Sequence, residues 1–99
     1  MAEFLDVDPR TLRLPTSRRQ GANPAKFARQ LSRFGKSTTG MPPPEVVRGA
    51  GGELMVMDGV TRATRVARFL PGQTVRVEVT HDYPNWDFSA LLTIGDVLP

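Results

Sequence analysis

Residues 53–79 read ELMVMDGVTRATRVARFLPGQTVRVEV. Leu54–Met57 is a short apolar run that predicts a strand, and Asp58-Gly59 ends it. From Val60 the period changes. Ala63, Val66, Ala67 and Leu70 recur at i, i+3, i+4 and i+7, the spacing of one buried helix face. Pro71-Gly72 stops that helix near Leu70. Residues 74–80 then alternate strictly, with Val75, Val77 and Val79 on one side and Arg76 and Glu78 on the other. A half-buried strand follows from that pattern.

Working outward, VVR at 46–48 pairs with LMVM at 54–57 as a hairpin across GAGGE. Upstream, KSTTGMPPPE (36–45) is a polar, proline-rich connection that cannot be helical throughout. Asn23 before Pro24 is a cap with a proline at the first helical position. Phe27, Leu31 and Phe34 then form one apolar stripe, and Gly35 stops a helix over 24–34. FLDV (4–7) and TLRL (11–14) read as extended segments around Asp8-Pro9, with TSRRQGAN an irregular basic loop. WDFSALLTIGDVLP carries an apolar stripe and a cap candidate at Asp87, so it reads as a short helix or a segment packed across the core. The order of parts predicts an α+β fold, a small mixed β-sheet covered by two main helices. Residues 1–99 make a single domain, with 82–99 as a tail packed on it.

Composition narrows the function. The apolar share is 39% and the charged share 23%, a globular balance rather than a disordered one. With no Cys, thiolate metal sites, disulfide scaffolds and cysteine nucleophiles are excluded. One His removes a conventional zinc site, so no metal ligand set is expected. No run reaches the ~20 apolar residues of a membrane span, and the N-terminus has no signal-peptide pattern. The expected location is cytoplasmic, with no membrane partner.

Charge is distributed unevenly. Eight basic residues and no acid lie between Pro9 and Lys36, whereas from His81 onward there are three acids and no Lys or Arg. Arg supplies eleven of the thirteen basic residues, and its fork suits bidentate phosphate contact. Arg18, Arg19, Lys26, Arg29 and Arg33 are therefore candidate nucleic-acid contacts; a solvated basic surface is the plainer reading of the same run.

The turn at 58–62 carries the sharper candidate. A strand that ends at glycine and opens a helix leaves backbone N–H groups unpaired at the helix start, a ready anion site. Gly59 permits close approach, Thr61 adds a hydroxyl, Arg62 reaches back, and Arg65 follows one turn on. Asp58 is either an acidic catalytic candidate or the N-cap of this helix. His81 and Asp82 are a weaker catalytic candidate pair for proton transfer. Tyr83 and Trp86 read as base-stacking rings or, more simply, as packing anchors.

The stretch 53–79 resembles the core of the ParB/sulfiredoxin superfamily. Gly59 and Arg62 match its GxxR pair, Asp58 the acid before the glycine in DGxHR-like turns, and VRVEV its returning strand. VDPRTLRLP is similar to the family's I-x-P-x-x-L opening, and MPPPEVVR to its PPIxV strand. The resemblance covers roughly residues 5–80. It implies nucleotide or nucleic-acid phosphate bound at Gly59–Arg62, phosphoryl-transfer, nuclease or nucleotidase chemistry, and a nucleoside triphosphate carried with Mg²⁺. The chain also departs from the pattern. Sulfiredoxins use a cysteine in this turn and ParB proteins a GERR-like sequence, whereas here Val60 and Thr61 follow the glycine. The alternative reading is a catalytically inactive module that keeps the fold and binds a protein partner.

Overall fold

In the computed structural model, which describes residues 3–18, 21, 23–34 and 41–98, the elements in chain order are β1 (Glu3–Val7), α1 (Pro24–Phe34), β2 (Glu45–Arg48), β3 (Leu54–Asp58), α2 (Val60–Phe69), β4 (Val75–Asp82) and α3 (Ile94–Val97). Arg19, the Arg18 and Phe34 side chains, and the segment 35–40 with the Gly35 stop lie outside the described residues. The α+β expectation holds: a four-stranded mixed sheet runs in the order β1-β4-β2-β3. β1 and β4 are antiparallel, β2 and β4 parallel, and β2 and β3 form the antiparallel hairpin. The parallel pair needs a crossover, and β3 with α2 supplies it.

Register follows the alternation read from the sequence. Val46 lies opposite Val56 and Val79, and Val77 opposite Leu5, so the apolar side chains share one face. Val46, Val56 and Val77 are fully buried there, and Val60, Ala63, Val66 and Ala67 of α2 pack on them. α1 leans on α2, where the Phe27 and Phe69 rings stack at 5.9 Å.

Segment 9–14 differs from expectation. Asp8 Oδ1 accepts from the Arg10 amide at 3.0 Å and starts a 3-10 turn over Pro9–Thr11, so only residues 12–14 are extended. These three join β3 to the tail. The Arg13 amide donates to the Leu54 carbonyl (2.8 Å) and the Val56 amide to the Arg13 carbonyl (3.0 Å). On the other side, the Leu14 amide donates to Leu92 (2.7 Å) and the Ile94 amide to Leu12 (2.9 Å). Leu12 and Leu14 are buried beneath this junction.

In the C-terminal segment Phe88 and Ile94 are buried, but Asp87 does not cap a helix. Asp87 instead accepts from the Ser89 amide at 2.9 Å, a local turn. Residues 88–91 make a turn, with the Leu91 amide donating to the Phe88 carbonyl (3.1 Å). The Leu91 and Leu92 carbonyls accept from Arg13 Nη1 and the Leu14 amide, so no helix begins before Thr93. Thr93 and Asp96 then form a reciprocal capping box around α3. Trp86 is not a packing anchor either: it is 54% exposed, and Phe88 at 5% is the buried ring.

Arg48 is an unforeseen tie. From β2 its Nε donates to Asp82 of β4 at 2.6 Å, and Nη1 and Nη2 donate to Glu3 of β1 at 2.8 and 3.0 Å. One guanidinium thus links three strands. These hydrogen bonds hold the Glu3 carboxyl below its ordinary range. Stability from this pair is therefore fully present above the ordinary glutamate value, about 4.3, and is lost as pH falls through the lowered folded value. Arg48→Met should lower the melting temperature at pH 7 and flatten the acid-side loss of stability, read by thermal melts across pH 3–6. Ile94→Ala should cost about 2–5 kcal/mol in urea unfolding because it empties a fully buried site. Leu92→Ala, 44% exposed, should change stability by no more than about 0.5 kcal/mol.

Candidate functional site

The junction of β3 and α2 turns on Gly59, which has φ 99° and ψ 22°. That left-handed conformation strains any L side chain. Space forbids one as well. A Cβ here would lie 2.9 Å from both Cα and Cβ of Pro44, and 2.7 Å from Arg62 Nη2. Pro44 is buried, and its carbonyl accepts from the Glu78 amide at 2.9 Å. The turn is therefore wedged against the entry to β2, which is itself bonded to β4.

Gly59 is the N-cap residue, and α2 starts with no side-chain cap. This corrects the N-cap expectation for Asp58. The Asp58 carboxylate instead pairs with Arg62 across one turn, Oδ2 to Nη2 at 3.2 Å. The first backbone bond of the helix is Ala63 N–H to the Gly59 carbonyl, at 3.0 Å. The amides before it belong to the unpaired set at a helix start. A hollow of about 170 Å³ opens beside the turn, lined by Pro15, Ser17, Val56, Met57, Asp58, Gly59 and Val60. Ser17 was not singled out from the sequence, because its approach depends on how the segment after Leu14 folds back.

The arginines are disposed unequally. Arg62 keeps 18% of its side chain exposed and lies over Gly59, outside the lining of the hollow. Arg65 is buried at 2%, with Nη2 3.1 Å from Met41 Sδ. Burial lowers its pKa first, and the nearby positive charge of Arg62 lowers it further. The charge of Arg62, itself paired with Asp58, thus reaches Arg65 one helical turn on. Thr61 is 5% exposed and Val60 4%, so both side chains serve the core and present little surface to a ligand. Lys26, Arg29 and Arg33 are exposed on α1, at the i, i+3, i+7 spacing of one stripe.

His81 and Asp82 do not make a catalytic pair. Asp82 is engaged by Arg48, whereas His81 Nδ1 lies 3.4 Å from Thr80 Oγ1 and its ring stacks on Tyr83. Neighbouring strand residues point to opposite faces, so adjacency in sequence separated them. They also lie at the wrong end of the sheet for the turn. Asp58 pairs with Glu45 at the start of β2, whereas Asp82 pairs with Arg48 at its end. Three residue rises along β2 separate those ends by about 10 Å. Tyr83 and Trp86 follow β4 at that far end, so they do not stack on a base whose phosphate sits at Gly59.

A larger hollow of about 370 Å³ is lined by Val7, Thr11, Arg13, Gly51, Gly52, Glu53 and Leu54. Its cation, Arg13, donates Nη1 to the Leu91 carbonyl at 2.7 Å and so supports the tail. Among the described residues no group of three or more His, Asp or Glu side chains gathers as a metal site. No helix among them is long and apolar enough to cross a membrane. Comparison with protein-family models finds no matching family, and comparison with curated proteins finds no similar chain.

The geometry at Gly59 separates two costs of substitution. Gly72 also has positive φ (86°), but a Cβ there meets nothing within 4 Å. Gly72→Ala should cost about 1–2 kcal/mol, the left-handed penalty alone. Gly59→Ala should cost clearly more because Pro44 must also move, and urea unfolding of the two variants measures the difference.

Proposed function

We propose that the Gly59–Arg62 turn binds a phosphate group of a nucleotide or nucleic acid, on a domain of the ParB/sulfiredoxin type. The observation that carries this reading is the helix start without a side-chain cap at Gly59, with the guanidiniums of Arg62 and Arg65 behind it. Backbone donors, the helix dipole and positive charge all favour an anion. The stripe Lys26, Arg29, Arg33 on α1 gathers a polyanion, and α1 packs on the helix that the turn begins. Asp58 holds Arg62 at 3.2 Å and must yield it to the incoming phosphate. Mg²⁺ carried by a nucleoside triphosphate would offset the carboxylate that is released.

Binding is better supported than catalysis. The buried side chains of Val60 and Thr61 stand where related turns carry reactive groups, and His81 and Asp82 lie at the other end of β2. Phosphoryl-transfer or nuclease chemistry would fall to Asp58 alone as base.

Titration of ATP, CTP, GTP and a short DNA duplex, with and without Mg²⁺, tests the reading on wild type and Arg62→Ala. Saturable, salt-sensitive binding is expected. Loss of one charge-assisted contact should weaken it roughly 10- to 100-fold. If none of these ligands binds, the phosphate site is wrong. If DNA binds the variant as tightly, the α1 stripe is the site and the turn is structural.

A further inference from the structure

Beyond the far end of the sheet the rings of His81, Tyr83 and Trp86 form a column. Tyr83 and Trp86 stack with centroids 4.5 Å apart and planes 15° from parallel. His81 continues the column on Tyr83 at 5.9 Å and 16°. Its backbone is pinned. The Tyr83 amide donates to the Arg48 carbonyl (2.7 Å), Trp86 to Tyr83 (3.0 Å), and Ala50 to Trp86 (2.7 Å). Buried Phe88 braces Trp86 edge-on at 6.2 Å and 86°. Despite this rigid mounting, Trp86 remains 54% exposed. A large ring held in place and left open to water is prepared for contact at little entropic cost.

The surrounding charge selects the partner. Asp82 and Asp87 flank Tyr83 and Trp86 in sequence, and no Lys or Arg occurs after His81. Arg48 meets both Glu3 and Asp82, so one carboxylate charge of that trio stays uncompensated. Asp87 adds a further carboxylate, held ionised by its hydrogen bonds with Ser89 and, to a lesser degree, by the charge of Arg13. Aromatic faces among carboxylates repel phosphate and attract cations. A guanidinium matches both features, since its plane stacks on a ring while its edge donates to carboxylates. An ammonium offers only a point charge.

We infer that this end of the sheet docks an arginine-bearing peptide segment of a protein partner, with a guanidinium stacked on the Tyr83–Trp86 column and donating to Asp87. The site is separate from the Gly59 turn and stands or falls without it.

Trp86 is the only tryptophan, so its emission reports on the site directly. It is titrated with a short synthetic peptide of alternating arginine and glycine, with lysine–glycine and glutamate–glycine counterparts, and with oligothymidine. The arginine peptide should give a saturable change, the lysine peptide at least about threefold weaker binding, and the other two none. Asp87→Asn, which retains the acceptor for the Ser89 amide, should weaken the arginine peptide about two- to fivefold. Tyr83→Leu should weaken it about tenfold, and Asp87→Asn decides the matter if Tyr83→Leu does not fold. The proposal is overturned by no saturable change, by equal affinity for the lysine peptide, by tighter oligothymidine binding, or by an unaltered Asp87→Asn.

Discussion

Everything at the centre of this fold is set by the contact between Gly59 and Pro44. The glycine ends β3, opens α2 and touches the residue that leads into β2. Through the Pro44 carbonyl the same point is bonded to β4. A side chain at position 59 would push α2 off the sheet, and with it the apolar face of Val60, Ala63, Val66 and Ala67. The fold alone therefore demands glycine here, whatever the turn binds. A ligand role must rest on features the fold does not demand, namely the missing side-chain cap and the arginines behind it.

Strand directions then give the molecule two chemically distinct ends. Because β2 and β4 are parallel, their C-terminal ends lie together, and Arg48, Asp82 and the ring column collect there. Because β3 is antiparallel to β2, its own C-terminal end and the Gly59 turn lie opposite. The basic stripe of α1 belongs with α2, whereas the chain after His81 supplies only acids. A phosphate and a guanidinium would thus find separate, oppositely charged places on one small domain, with Coulomb repulsion keeping each from the other's site.

Much of this was legible in the sequence because it is local. Hydrophobic period located α1, α2 and β4 to within a residue or two, and the glycine-rich link located the hairpin. What escaped depends on residues brought together from a distance. Arg48 reaches Glu3 and Asp82 only because strand order places β4 between β1 and β2. Asp87 and Thr93 are both good caps, and Arg13 and Leu14, which take the carbonyls of Leu91 and Leu92, leave only Thr93 to start a helix. Adjacency suggested a His81–Asp82 pair, but strand alternation and the pull of Arg48 separated the two. Trp86 looked like core because large rings usually are, yet Phe88 occupies the place it would have filled.

The same packing bears on reactivity at the turn. In a domain this small, α2 is buried on most of its circumference, so positions just after the glycine go to the core. Val60 and Thr61 cannot also be nucleophile or acid–base groups facing a ligand. What remains at the surface is Asp58, paired with Arg62 across one helical turn, and Arg62 itself. A bound phosphate would have to take Arg62 before that carboxylate came free. Binding thus precedes any activation of Asp58. An arrangement with that order suits a turn that first captures its anion and leaves chemistry, where there is any, to groups the ligand or a partner brings.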